Sequence, residues 1–207
     1  MKILFLSPHT DDVELGCGGV ISRLIDEGND IYVVIFSICD KSLPFEFKKG
    51  TLKDESTNSL NSLKIPNDNI TYLDYDVRVF NYKRQDILED LVKIKLKICP
   101  EMVFLPSIDD YHQDHKTIAE EGIRCFKNNC TILSYELIWN NTGFKNQLYY
   151  SLSEKNIEDK VRALSMYKSQ SNRRYISSEF IKSLAIVRGI QNGVNLAEAF
   201  EVIRIKI

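Results

Sequence analysis

The chain has 207 residues, of which 43% are hydrophobic and 27% are charged, a composition typical of globular proteins that bury a core of their own. Its formal net charge of −2 excludes the strongly basic surface of a nucleic-acid-binding protein, and no apolar run approaches the roughly 18 residues of a membrane span. The five cysteines include no CxxC pair, so neither a disulfide framework nor a thiolate zinc site is indicated. We therefore expect a cytoplasmic protein that binds no nucleic acid and has no membrane span.

The first half of the chain alternates short apolar runs with segments of helical periodicity. The predicted elements are, in order, a strand at 2–6, a helix that Gly28 ends, a strand at 31–38, a weak helix at 53–63 and a strand at 70–73. They continue with a helix at 84–98, a strand at 102–105, a helix at about 113–126 and a strand at 131–137. Strands that alternate with helices in this way are typical of a parallel α/β sheet.

The last third is less regular. The pattern there predicts a strand at 147–152, helices at 154–167 and 178–189, and a final strand at 198–205. No internal repeat or low-complexity linker divides the chain. We therefore predict an α/β fold, with a Rossmann-like, mostly parallel sheet flanked by helices, in a single domain over residues 1–207 with an irregular C-terminal third.

A histidine and two adjacent aspartates follow the first predicted strand, at His9, Asp11 and Asp12. Ligands bind at the carboxyl ends of strands in open α/β sheets. Neighbouring carboxylates repel one another, and a divalent cation relieves the repulsion, while imidazole and carboxylate are both good zinc ligands. One aspartate could bind the metal while its neighbour faces a metal-bound water. The alternative is an ordinary Asp-Asp turn or helix cap.

The glycines Gly16, Gly18 and Gly19 come next and raise the alternative of a nucleotide-binding loop. Their spacing is not GxGxxG, and the preceding carboxylates would repel a pyrophosphate. We predict instead that they let the helix approach the strand closely.

A second polar cluster, residues 109–115, follows the strand at 102–105 and opens a helix. His112 and His115 are separated by three positions and share a helix face. With His9 they are the only histidines of the chain, and both clusters lie at the same predicted rim of one sheet. This coincidence predicts a metal site. Two histidines and one carboxylate that leave a position open are typical of catalytic zinc, although iron or cobalt could occupy the same ligands.

At these two clusters the chain resembles the LmbE-like, or PIG-L, zinc-dependent N-deacetylases. The family signature is a His-Pro-Asp-Asp loop before a glycine-rich helix start, followed later by His-x-Asp-His. Here residues 9–12 are His-Thr-Asp-Asp, residues 14–19 are Glu-Leu-Gly-Cys-Gly-Gly, and residues 112–115 are His-Gln-Asp-His. Ser-Gln at 169–170 and Ala-Glu-Ala-Phe at 197–200 are also similar to the family, so the resemblance covers nearly the whole chain. Thr10 replaces the usual proline, which puts the rigidity of the loop in doubt.

The resemblance implies a role for each residue of the two clusters. His9, Asp12 and His115 match the zinc ligands of the family. Asp11 matches the general base that activates water. His112 matches the residue that stabilises the oxyanion, and either His112 or Asp11 would protonate the leaving amine.

A further implied role belongs to Asp114, which would orient one of the ligand histidines from outside the metal shell. On this resemblance the expected activity is removal of an acetyl group from an N-acetylated amino sugar or sugar conjugate. Two alternatives stay open: hydrolysis of another small amide or ester, and a Rossmann-like binding module without catalysis. A homo-oligomer is compatible with the sequence.

Residues that contact the substrate are less well indicated. Arg78 could hold a phosphate or a sugar hydroxyl, or form a surface ion pair with Asp76. Arg173 and Arg174 could bind the phosphates of a nucleotide-linked sugar, or be a solvated basic pair. Three aromatic residues could stack on a sugar ring or pack in the core; they are Trp139, Tyr149 and Tyr150. Polar loops at 40–53 and 140–146 are candidate lids over the site.

Overall fold

The computed structural model describes residues 1–206 and has one seven-stranded sheet flanked by six helices, which confirms the predicted α/β fold. The strands are β1 Lys2–Ser7, β2 Asp30–Ile35, β3 Ile70–Tyr72, β4 Met102–Pro106, β5 Thr131–Tyr135, β6 Leu148–Ser151 and β7 Ala197–Arg204. The helices are α1 Asp12–Asp26, α2 Thr51–Ser62, α3 Arg84–Ile98, α4 Gln113–Phe126, α5 Glu154–Leu164 and α6 Ser178–Asn192. Within residues 1–206 no helix combines the length and the apolar character that a bilayer span requires.

The order of the strands places a crevice between β1 and β4. The sheet runs β3-β2-β1-β4-β5-β7-β6. The first five of these strands are parallel, and β7 is antiparallel to both of its neighbours. The chain leaves β1 toward β2 on one side and leaves β4 toward β5 on the other. The loops that follow β1 and β4 therefore diverge, which is where ligands bind in such sheets.

Alternation along β1 divides the core into two layers. Ile3 and Phe5 face the layer that contains α1, α2, α5 and α6. Leu4 and Leu6 face the layer that contains α3 and α4. Because successive side chains of a strand point to opposite faces and both faces are covered, the central strands must be apolar at every position. This burial explains the continuous apolar runs of the sequence.

The glycines at the start of α1 allow close packing of that helix. A Cβ atom on Gly16 would lie 2.5 Å from Cδ2 of Tyr135 on β5, and one on Gly18 would lie 2.8 Å from Cγ of Lys160 on α5. Close approach of the helix to a strand, as predicted, is thus confirmed at Gly16, whereas Gly18 packs against another helix. The packing brings the N-terminus of α1 against the sheet next to the loop that follows β1.

Several predicted elements end earlier than expected. The strand predicted at 31–38 ends at Ile35, and the chain turns a few residues later, with Cys39 in the left-handed region at φ 59°. The helix predicted at 154–167 ends at Leu164 and is followed by short 3₁₀ turns. The predicted C-terminal strands are present and pair with each other at the edge of the sheet. All five cysteines are free thiols, and four of them are buried.

Candidate metal and catalytic site

A cavity of about 350 Å³ lies at the crevice between the loops that follow β1 and β4. Both predicted clusters reach it. Its lining includes His9, Asp11, Asp12, His112 and His115, together with Arg78 and Arg173. The strand order thus brings together residues that are about a hundred positions apart in the sequence.

Three potential ligand atoms converge at the inner end of the cavity. His9 Nδ1 lies 3.0 Å from His115 Nε2, and Asp12 Oδ2 lies 3.3 Å from each of these nitrogens. Two ligand atoms of a tetrahedral zinc ion, with bonds of about 2.0–2.2 Å, are about 3.3–3.6 Å apart. The three atoms therefore fit one small divalent ion after a slight expansion. His112 is also close, because potential ligand atoms of the three histidines lie within 4.8 Å of one another.

Buried carboxylates fix the orientation of both converging histidines. Asp114 Oδ2 lies 3.2 Å from His9 Nε2, and Asp110 Oδ2 lies 2.8 Å from His115 Nδ1. When each ring donates its outer N–H to its carboxylate, the opposite nitrogen of each ring keeps a lone pair for a metal. Metal-binding histidines are oriented in this way by outer partners.

Asp114 also joins the site to the segment that precedes α3. Its side chain is completely buried and accepts the backbone N–H groups of Arg78, at 2.6 Å, and Phe80, at 3.2 Å. Arg78 has a left-handed backbone with φ 71°. Burial alone would raise the pKa of Asp114, but the hydrogen bonds from His9 and from these backbone groups lower it. Asp114 is therefore held as a carboxylate between His9 and the Arg78 segment.

The charges of His115 and Asp12 depend on each other in the metal-free protein. Burial alone would lower the pKa of His115, but the nearby carboxylates of Asp12 and Asp110 raise it to about 10. Burial alone would raise the pKa of Asp12, and the positive charge of His115 holds it well below its usual range. A metal ion that binds to His115 Nε2 must therefore displace a proton.

Asp11 and Asp12 are adjacent but differ in environment. Asp12 contacts both His9 and His115, whereas Asp11 lines the cavity beside them. Burial and the negative charge of Asp12 raise the pKa of Asp11 to about 6. A carboxyl group whose pKa is close to neutrality can both accept and return a proton at physiological pH.

His112 caps helix α4 with its ring. The backbone N–H of Asp114 donates to His112 Nδ1 at 3.2 Å, so a neutral ring carries its proton on Nε2. Burial and the neighbouring His115 and His9 lower the pKa of His112 to about 4, which keeps the ring neutral near pH 7. In this tautomer Nε2 is a hydrogen-bond donor and offers no lone pair to a metal. The geometry thus favours His9, Asp12 and His115 over His112 as ligands.

Hydrogen bonds from helices α1 and α2 and from the segment after α5 hold the loop in which threonine replaces the usual proline. Thr10 is buried, and its carbonyl oxygen accepts the hydroxyls of Tyr167 and Ser56. Glu14 Oε1 lies 2.8 Å from the Tyr167 hydroxyl oxygen, and burial raises the pKa of Glu14 to about 8. These bonds restrain the loop without a proline ring.

The predicted substrate residues differ in where the structure places them. Arg78 lines the cavity, and its guanidinium donates to Ser42 Oγ at 3.2 Å. The alternative ion pair between Arg78 and Asp76 does not form, since Asp76 pairs with Lys41 at 2.7 Å. Arg173 lines the cavity, whereas its exposed neighbour Arg174 is not part of the lining.

The aromatic candidates also separate. Trp139 lines the cavity, as expected of a stacking residue. Tyr149 and Tyr150 do not line the cavity, because both lie on β6 at the far edge of the sheet. Tyr150 packs against the core ring of Phe200, with ring centroids 5.5 Å apart.

The sequence did not indicate the supporting roles of two residues at the site. Asp110 carries no signal that distinguishes it from the adjacent Asp109, and only its contact with His115 shows its importance. Tyr167 reaches the site from 157 positions away along the chain, so only the packing of the folded protein could have indicated it. In contrast, both histidine clusters were recognisable from residue type and from their position after a strand.

Comparisons with known proteins agree with this site. The sequence profile of the PIG-L family, described as GlcNAc-PI de-N-acetylase, matches residues 4–126. An uncharacterised deacetylase of Escherichia coli K12, YaiS, is 29% identical over 175 residues, which are 81% of this chain and 90% of that protein.

Solved structures with low sequence identity share the fold. The N,N'-diacetylchitobiose deacetylase of Pyrococcus horikoshii has a TM-score of 0.79 at 22% identity, over 98% of this chain and 83% of that one. The 4-carboxy-2-hydroxymuconate hydratase GalB of Pseudomonas putida KT2440 has a TM-score of 0.72 at 16% identity, over 100% and 97% of the two chains. Since a deacetylase and a hydratase share this fold, the fold alone does not define the reaction.

Proposed function

Because the chain belongs to the PIG-L, or LmbE-like, family of deacetylases, we propose that it is a zinc-dependent hydrolase that removes the acetyl group from an N-acetylated amino sugar or sugar conjugate. The observation that carries this proposal is the convergence of His9 Nδ1, Asp12 Oδ2 and His115 Nε2 within 3.3 Å of one another at the crevice. The outer carboxylates Asp110 and Asp114 support it, because they orient both rings.

The three converging residues would hold the metal. When bound, zinc supplies a Lewis acid and lowers the pKa of a coordinated water to about 7. A set of two histidines and one carboxylate leaves a coordination position open, as catalytic zinc sites do. The cavity in front of these atoms, about 350 Å³, has room for an acetylated sugar.

Asp11 acts as the general base in this proposal. It takes the proton of the attacking water as that oxygen bonds to the acetyl carbon. Its pKa of about 6 suits this transfer near neutral pH. The same carboxyl then gives the proton to the departing nitrogen, so that the products are acetate and a free amine. The low pKa of His112 favours Asp11 over His112 as this donor.

His112 stabilises the oxygen of the acetyl group. Its Nε2–H donates a hydrogen bond to that oxygen as negative charge develops there. The bond from Asp114 N–H to His112 Nδ1 holds the ring in the required tautomer. Loss of one such donor typically slows an enzyme by about 10²–10³-fold.

The proposal is tested by acetate release from N-acetylglucosamine glycosides, with zinc content measured on the same samples. Chelation should abolish activity, and added zinc should restore it. Asp11→Asn should keep zinc and lose at least about 10²-fold in kcat, whereas His115→Ala should lose zinc. Asp109→Asn, at an exposed neighbour of the site, is the matched control. Full zinc content and full activity in both site variants would contradict the proposal.

The alternatives predict different results in the same assay. Turnover of another amide or of an ester, with no acetate from any sugar, would keep the site and change the substrate. Chelation without effect on stability or on ligand binding would favour a non-catalytic binding module. The four buried free thiols support a reducing, cytoplasmic location for the enzyme.

A further inference from the structure

Two guanidinium groups line the cavity without a carboxylate partner. Within the described residues, neither Arg78 nor Arg173 forms an ion pair with an aspartate or glutamate. Most other arginines of the chain do; they are Arg23, Arg84, Arg124, Arg162 and Arg188. Arg78 and Arg173 are thus two of the four arginines without an ion pair within residues 1–206, and these two line the cavity, whereas Arg174 and Arg204 do not.

The guanidinium of Arg173 is anchored to a neighbouring aromatic side chain. It lies over the ring of Tyr175 at 5.7 Å and donates a hydrogen bond to the Tyr175 hydroxyl. Tyr175 in turn stacks on Trp139, with centroids 4.1 Å apart and an interplanar angle of 9°. The hydrogen bond to Tyr175 restrains the guanidinium and leaves most of its N–H groups free. A planar fork with free donors is suited to an oxyanion with two acceptor oxygens.

The charges around the cavity agree with an anionic ligand. The carboxylates of Asp11 and Asp12 offset the guanidinium groups of Arg78 and Arg173, and all four lie in the cavity lining. Asp12 contacts His9 and His115, and Asp110 and Asp114 contact the outer nitrogens of the same rings, so a divalent ion there would be balanced by these carboxylates and not by Asp11. A neutral sugar would leave both guanidinium groups without a charged partner, whereas an anionic substituent would pair with them.

We propose that the enzyme selects acetylated sugars that carry an oxyanionic substituent, a phosphate or a carboxylate, and that Arg173, held by Tyr175 and Trp139, is the residue that recognises it. This inference rests on the proposed deacetylase function. Arg78, supported by Ser42 on another part of the cavity wall, is the second cation of the site. Arg174, outside the cavity lining, takes no part.

Binding can be measured without turnover, because Trp139 is the only tryptophan of the chain and stacks on the ring that supports Arg173. Metal-free protein would be titrated with the methyl glycoside, the carboxymethyl glycoside and the 1-phosphate of N-acetylglucosamine, with tryptophan fluorescence as the signal. We expect at least one anionic compound to bind about tenfold more tightly than the methyl glycoside. Arg173→Gln should remove that preference, and the control Arg174→Gln should keep it.

The zinc-loaded enzyme gives the second readout. Arg173→Gln should lower kcat/KM for the preferred anionic sugar about tenfold more than it lowers kcat/KM for the methyl glycoside. The carboxymethyl and phosphate arms identify which oxyanion is recognised. An equal loss on neutral and anionic sugars, or no preference in the wild type, would overturn the inference. No acetate from any sugar, with the fluorescence preference intact, would refute the deacetylase function and leave the oxyanion site standing.

Discussion

Replacement of Asp110 by asparagine tests whether the outer carboxylate controls the metal site. Asp110 uses both of its oxygens: Oδ1 accepts the backbone N–H of His112 at 2.7 Å, and Oδ2 lies 2.8 Å from His115 Nδ1. Asparagine has one acceptor oxygen, so one of these buried donors loses its partner, at a cost of about 1–3 kcal/mol. The affinity for zinc should therefore fall by about 10–100-fold.

The assay is competition for zinc between the protein and a chromophoric chelator, at a temperature far below thermal unfolding. Asp109→Asn is the matched control, because Asp109 is exposed and its carboxylate has no partner at the site. We expect the control to bind zinc as the wild type does. An Asp110→Asn affinity within twofold of the wild type would refute the idea that this carboxylate supports the ligand His115.

Three further results are expected from the same structure. Gly16→Ala should destabilise the fold by about 1–3 kcal/mol in chemical denaturation, because the new Cβ would lie 2.5 Å from the ring of Tyr135. The control Gly143→Ala, at a position with open space around it, should leave the stability nearly unchanged. Zinc affinity should rise by at least about tenfold per pH unit between pH 6 and pH 9. The reason is that His115, with a pKa of about 10, is protonated in this range, so zinc must displace a proton to bind. An affinity independent of pH in calorimetric titrations would contradict this. His112→Ala should keep zinc and lose about 10²–10³-fold in kcat, and a loss of zinc in that variant would mean that His112 is a ligand.

The central part of the fold could be predicted from sequence because its strands are buried on both faces. A continuous apolar run such as residues 2–6 has few other interpretations, and the helix between β1 and β2 ends where Gly28 indicates. The edges were less predictable. Phe36 and Ser37 still donate backbone hydrogen bonds to Ser7 and Pro8, but the regular strand has ended at Ile35 and the chain then turns, with Cys39 in a left-handed conformation. Periodicity reports burial and does not report where the regular strand geometry ends.

The site could be predicted where strand order alone brings residues together. The loops that hold His9 and His115 follow neighbouring parallel strands, so their meeting follows from the topology. The contribution of Arg173 depends on how the segment after α5 folds back over the cavity. The role of Asp110 depends on one side-chain contact, with His115. Neither the folding of that segment nor that contact leaves a periodic signal. The two alternatives for Tyr149 could not be separated for the same reason, because only the topology shows that its strand lies at the edge of the sheet away from the crevice.

The central claim is that His9 Nδ1, Asp12 Oδ2 and His115 Nε2 hold one divalent ion while His112 stays free to contact the substrate. Anomalous diffraction at the zinc edge, from crystals of the zinc-loaded protein, tests this most directly. We predict one peak at about 2.0–2.2 Å from each of these three atoms. A peak coordinated by His112, or no peak at the crevice, would contradict the account.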